Sequence, residues 1–257
     1  MHLHILKGCS AGLVAAALAA GAQAAPTVYF GIDNATILPG GSHPVADAAA
    51  AAFAAAAGPL ATESFEGFAT GALPASFTVG TVDVGFTNQA TQYTQIATGV
   101  GTFSTFATDG TQFIDSLSDN GSTYFTMAFG SALPGFGFYL TDASDWLGTT
   151  SPLASLQVHL MHAQGETVLD LLDISPSQVV NGNVAFFGVL ADPANPITGF
   201  FITNPALNPD EDAIGLDQLM IPQAAVPEPA TWALAPVALL ALAASTRRRG
   251  RRAPAAG

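Results

Sequence analysis

The sequence predicts a mainly β protein, a single β-sandwich with one Ala-rich helix ahead of it, and three observations carry that prediction. After Thr62, Thr, Val and Phe alternate between Gly, Asn, Asp and Pro punctuation about every 8 to 12 residues, the rhythm of short antiparallel strands. Residues 46–57 are dominated by Ala, with Pro44 just ahead and Gly58-Pro59 just behind. The six Lys and Arg residues among the 257 are Lys7, Arg247, Arg248, Arg249, Arg251 and Arg252, so residues 8–246 contain neither. Positive charge confined to the two ends marks address labels flanking an exported body.

At the N-terminus, Lys7 precedes an apolar run over residues 11–20 and the small-x-small triplet Ala22-Gln23-Ala24. Residues 1–24 therefore read as a signal peptide cut by signal peptidase after Ala24, its apolar run being too short to span a bilayer permanently. Cys9, the sole cysteine, lies before that run, whereas a lipidated cysteine would follow it, so cleavage removes it with the leader. In the segment 25–61, residues 27–32 form a short strand and Pro39-Gly40-Gly41 a break. Ser42 can then cap a helix, Pro44 fits its first turn, Ala is the best helix former for its interior, and Gly58-Pro59 stops it. Phe53 is its docking group; the alternative, a flexible spacer, leaves the paired start and stop signals unexplained.

The β-sandwich occupies residues 62–222. Strands are predicted at 82–87, 92–97, 102–105, 112–114, 123–129, 135–141, 153–161, 167–172, 183–190, 198–203 and 216–221, enough for two sheets. Phe125, Phe129, Phe136, Phe138, Phe186, Phe187, Phe200 and Phe201 would fill the space between them. Adjacent pairs such as Phe186-Phe187 put one ring on each face of a strand, so part of the outer surface needs covering by loops, the helix or a partner.

At the C-terminus, Val226-Pro227-Glu228-Pro229 precedes an apolar stretch over residues 230–244, closed by Arg247, Arg248, Arg249, Arg251 and Arg252. Such a stretch makes roughly 22 Å of helix at about 1.5 Å per residue, against a hydrocarbon core of about 30 Å. A transmembrane helix this short, behind a rigid Pro-x-Pro, suits a segment that is recognised and cut, its basic end held in the cytoplasm. In this order the three parts, residues 226–252, resemble the PEP-CTERM sorting signal of Gram-negative bacteria. The resemblance implies a membrane exosortase that processes the tail and delivers the protein to the cell surface or extracellular polysaccharide. An ordinary C-terminal anchor is the alternative. The body resembles a recurrent type among these proteins from about Tyr29 to Ile221, through Glu63-Ser64-Phe65-Glu66-Gly67-Phe68, residues 136–142, Phe186-Phe187-Gly188-Val189 and residues 212–217.

Of the 19 acidic residues only Glu228 lies beyond the body, which therefore carries 18 carboxylates and no Lys or Arg once both ends are removed. Such a body cannot clamp phosphate and repels nucleic acid and anionic membrane. Without cysteine it has no disulfide, so its stability rests on burial. Its acids must be solvated, hydrogen-bonded or met by cations, calcium being the extracellular cation that takes carboxylate oxygens.

The first and last strand motifs are also similar to those of galactose-binding-like jelly rolls, which implies a sandwich of jelly-roll type and a structural calcium held by Glu63 or Glu66 with Asp212 or Asp217. Gln218 and Ala213 depart from that pattern, and solvated strand-end acids are the plainer reading. Asp142 and Asp145 could serve glycoside hydrolysis, and Trp146 with Tyr139 or Tyr93 could stack on a glycan, although a capping loop explains the same residues. His159 and His162 have metal-like spacing but fall on opposite faces of a strand. His43, next to Pro44, reads as a loop residue, and Asp210, Glu211 and Asp212 as a solvated loop. No nucleophile elbow, phosphate loop, dinucleotide fingerprint or zinc-protease motif is present, so no catalytic residue is assigned. The sequence thus points to an exported, exosortase-processed surface or matrix protein with a structural or adhesive role. A carbohydrate-binding module is the second reading and a glycoside hydrolase the third.

Overall fold

The computed structural model describes residues 25–87, 94–119, 123–143, 156–171, 180–204 and 211–223. Within them the chain runs β1 (Thr27–Asp33), α1 (Pro44–Ala57), β2 (Leu60–Glu63), β3 (Gly71–Ala72), β4 (Ser76–Val79), β5 (Val82–Thr87) and β6 (Gln95–Thr98). After a short 3-10 turn at Thr102–Ser104 come β7 (Gln112–Asp119), β8 (Thr123–Leu133), β9 (Gly135–Thr141), β10 (Gln157–His162), β11 (Gly165–Asp170), β12 (Val184–Leu190), β13 (Ile197–Thr203) and β14 (Glu211–Pro222). All pairings are antiparallel. One sheet has the order β1-β12-β9-β14-β7-β6-β3, the other β11-β10-β13-β8-β5-β4. In the first sheet β14 takes β7 along its first half and β2 along its second, with β9 on its other side.

The two-residue period of the strands sorts the phenylalanines. Phe136 and Phe138 of β9 and Phe187 of β12 face Phe125 and Phe129 of β8 and Phe200 of β13 in one buried cluster. The Phe136 and Phe200 rings stack at 4.4 Å between centroids, joining the sheets at the centre of the core. Phe186 and Tyr139, one residue out of phase, face the other way into a second cluster beneath α1. There Phe53, fully buried as the sequence predicts, meets Phe186 at 5.9 Å and Tyr29 at 5.8 Å. Gly137 and Gly188 are cross-strand partners, and a Cβ at either would lie about 3 Å from the Phe53 or Phe186 ring, so the pair forms the seat for Phe53. The helix thus provides the cover that Phe186 requires. Phe201 lies on the outer face of the smaller sheet rather than in the interior, its ring stacked on His159 at 4.2 Å.

Several predicted elements differ. Residues 102–105 are not a strand: Phe103 (φ 51°) and Ser104 (φ 83°) adopt left-handed backbone, held there by the Asp115 carboxylate described below. Ser42 is not the helix cap. His43 occupies that position without a side-chain cap, and the orphan N–H groups of Val45 and Ala46 instead donate to the Asp33 carboxylate at 3.0 and 2.9 Å. Asp33 ends β1, so the helix start is fixed by a residue outside the helix. Gly58 stops the helix as predicted, its N–H reaching Ala54 O with φ 79°. Glu63 closes β2 rather than opening a longer strand, because its carboxylate accepts the Phe65 N–H at 2.7 Å and Phe65 turns to φ 63°. β1 and α1 pack on β12, so residues 25–61 and the sandwich share one body.

Candidate functional site

The most elaborate polar arrangement among the described residues is the connection between β6 and β7, held by three carboxylates from different parts of the chain. Asp115 of β7 is 1% exposed; its Oδ2 accepts from the Thr102 N–H (3.1 Å) and hydroxyl (2.8 Å), and its Oδ1 from the Thr105 hydroxyl (2.7 Å). Asp217 of β14, also 1% exposed, accepts at Oδ2 from the Thr108 N–H (2.9 Å), the Thr108 hydroxyl (3.0 Å) and the Asp109 N–H (3.0 Å). Its Oδ1 takes the Gln218 N–H at 2.7 Å, and Gln218 Nε2 donates in turn to the Thr108 hydroxyl at 3.1 Å. Glu66, on the exposed link after β2, accepts the Thr111 and Gln112 N–H groups at 2.6 Å each through Oε1 and the Thr111 hydroxyl at 3.1 Å through Oε2.

Local sequence explains why the connection accepts this grip. Asp109-Gly110 is a turn dipeptide, and Gly110 at φ 67° leaves the space into which the Glu66 carboxylate fits; any Cβ there would collide with it. On the other side, β14 bulges after Asp217: Gln218 takes φ 51° and the register against β9 shifts between Asp217 and Met220. The bulge aims the Asp217 carboxylate at Thr108 and Asp109 while Leu216 and Leu219 both remain in the core. The two carboxylates differ in charge chemistry. Burial pushes Asp217 up to about 6, even against its four donors. The Gln112 and Thr111 N–H groups hold exposed Glu66 below the usual carboxylate range.

Of the four acids proposed as calcium ligands, the structure brings Glu66 and Asp217 to the same connection, and the β2–β14 register sets Glu63 opposite Leu219, two residues from Asp217. Asp212 is elsewhere. It is an odd number of residues from Asp217 on one strand, so it faces the sandwich interior, where its Oδ2 accepts the Tyr124 hydroxyl of β8 at 2.8 Å and the Asn204 amide at 3.5 Å. Calcium needs six or more converging oxygens, whereas the oxygens of Glu66 and Asp217 are turned onto N–H and O–H donors. Among the described residues no group of three or more His, Cys, Asp or Glu is arranged to hold a metal ion. The four acids therefore do not fit a calcium cage.

Tyr139 does not offer a glycan platform, contrary to the sequence reading: it is 5% exposed under α1, its hydroxyl donates to Asp47 at 2.9 Å, and His43 meets its ring edge-on at 5.5 Å. Burial and Asp47 together raise its phenol well above the ordinary value. Asp142 is fully buried, with Oδ1 accepting the Gly182 N–H at 2.6 Å, so it anchors a turn rather than facing a cleft. Tyr93, Asp145, Trp146 and Asp210 lie outside the described residues, as do the signal peptide, Val226 to Pro229, the apolar stretch and the Arg cluster. Among the described residues no helix is long and apolar enough to cross a membrane. His159 pairs with Glu166 and approaches Thr203 Oγ1 at 2.8 Å, while His162 lies 3.2 Å from both Pro196 O and Thr167 Oγ1. The two rings share no partner, as their strand spacing predicts.

The residues that the sequence alone does not single out are Asp33, Asp115, Thr102, Thr105, Thr108 and Thr111. The Asp109-Gly110 turn is legible, but the carboxylates holding it come from 45 and 108 residues away. Compared with known proteins, the chain matches no family model and no curated sequence.

Proposed function

We propose that the chain is an exported, exosortase-processed protein of the cell surface or extracellular matrix, structural or adhesive in role, with a body of jelly-roll type. The observation that carries this reading is the confinement of every Lys and Arg to the two ends, the second end closing Val226-Pro227-Glu228-Pro229 and a short apolar stretch. The body between them supports it. Among the described residues His43 and His159 meet the carboxylates of Asp47 and Glu166, and the buried Asp115, Asp217 and Asp212 are met by the chain's own N–H and O–H groups. Such a body keeps its fold without basic counter-charges and stays soluble as a polyanion among neutral polysaccharide. Signal peptidase and an exosortase are its transient partners, and nucleic acid is not one. A carbohydrate-binding role would rest on Trp146 without Tyr139, which the helix covers.

The test is expression of the full chain in a Gram-negative host with and without an exosortase, followed by fractionation and intact-mass analysis. With the enzyme, the product should lose its Arg cluster by a cut near residues 227–229 and leave the inner membrane. Without it, the tail should stay attached and the protein membrane-bound. An intact tail and the same location in both strains would refute the sorting reading.

A further inference from the structure

Where the edge strand β1 begins, a cavity of about 260 Å³ opens between Ala25 and Pro26 on one side and His162, Thr167, Asp192 and Asn195 on the other. The β1–β12 pairing sets Thr27 opposite Leu190. Two residues beyond the end of that pairing on each strand, Ala25 and Asp192 both line this cavity. Pro26 keeps Ala25 in extended backbone and brings no N–H of its own, so the chain holds its direction while the ladder ends at Thr27. Asp192 is fixed from below by its own turn: Oδ1 accepts the Ala194 N–H at 2.9 Å, and its carbonyl accepts the Asn195 N–H at 2.8 Å.

Ala25 is also the residue that cleavage after Ala24 would make the first of the mature chain. We infer that this cavity is the seat of the mature N-terminus, where the α-ammonium released at Ala25 pairs with Asp192 and locks β1 onto the sheet edge. The inference rests on the export reading above. Before cleavage the same nitrogen is a neutral amide; afterwards it is an amine that is protonated below about pH 7.7–8.0, in a body of 18 carboxylates without Lys or Arg. β1 is then tied by an aspartate at each end, Asp192 at its start and Asp33 at its finish, and through Asp33 the lock reaches the first turn of α1. The titratable groups facing the cavity are Asp192 from the turn after β12 and His162 from β10; β11 contributes the uncharged Thr167.

The missing lysines make the test clean. The full chain is produced with its leader in an exporting bacterium, its N-terminus is sequenced by mass spectrometry, and the product is treated with an amine-acylating reagent over a pH series. With Lys7 removed, the α-amine is the sole amine in the chain. The expected result is a start at Ala25 and a labelling midpoint at least about half a pH unit above the ordinary α-amino range of about 7.7–8.0. Asp192→Asn, which keeps an acceptor for the Ala194 N–H, should return the midpoint to that range. A start at Ala25 with an ordinary midpoint in the unmodified sequence overturns the lock and leaves the export reading standing, whatever the variant does. A product that retains Lys7 overturns both.

Discussion

The space between the two sheets and the connection over the outer side of the larger sheet are held by opposite means. Between the sheets, Phe136, Phe138, Phe187 and Phe200 fill the volume with rings 4.4 to 6.1 Å apart and no titratable group among them. On the outer side, residues 101–112 are held through N–H and hydroxyl groups by Asp115, Asp217 and Glu66. In a body without Lys or Arg, buried acids thus act as internal acceptors, Asp115 and Asp217 for the backbone of the connection and Asp212 for the Tyr124 hydroxyl at the core. The contacts among these four rings should be indifferent to pH and the carboxylate-held connection should not.

The largest expected effect tests the indifferent side. Phe136→Ala removes a fully buried ring from the contact between sheets and should cost about 3–5 kcal/mol in denaturant unfolding. The loss should be the same at pH 7 and pH 5, and a strongly pH-dependent loss would break the contrast.

Asp217 should give the next largest effect, and its sign is unusual for a carboxylate. Its folded value of about 6 lies above the ordinary value of about 3.9, so the folded state binds the proton more tightly than the unfolded one. Its contribution to stability therefore increases as pH falls from about 6 to about 4 and is flat above that window, for a total of about 3 kcal/mol. Asp217→Asn should abolish this increase when stability is followed across the window and compared with the unsubstituted chain. Parallel pH profiles for the two would show that Asp217 does not titrate in the folded state as proposed.

The same contrast marks where the sequence was informative. Alternation and punctuation set both boundaries of β5 and β9, the Gly58-Pro59 stop was visible, and the two-faced Phe186-Phe187 pair correctly demanded cover on both sides. These signals are local and apolar. Thr102-Phe103-Ser104-Thr105 has the composition of a strand, and nothing nearby shows that Asp115 will bend it into a turn. Ser42 was the better local cap than His43, yet Asp33 from the preceding strand took the role. The grouping of Asp212 with Asp217 failed for a reason strand arithmetic contains: five residues apart, they occupy opposite faces. The bulge that aims Asp217 follows from pairing with β9, which no single segment encodes.

Glu66 sharpens the comparison from within the carboxylate-held region itself. It grips the same connection as Asp217, but from solvent, and its value is lowered by the Gln112 and Thr111 N–H groups. A lowered folded value means that its stabilisation is complete above the ordinary glutamate value of about 4.3 and is lost as pH falls through the folded value, the reverse of Asp217. Solvent screens an exposed group, so Glu66→Gln should cost no more than about 1 kcal/mol at pH 7. That cost should shrink as pH falls through the lowered folded value of Glu66 and vanish below it, where both chains carry a neutral group. Hydrogen exchange should localise it: the Thr111 and Gln112 amides lose protection while Thr108 and Asp109, held by Asp217, keep theirs. If all four amides lose protection together, the two carboxylates hold the connection as one unit, and the distinction between a buried and an exposed grip disappears.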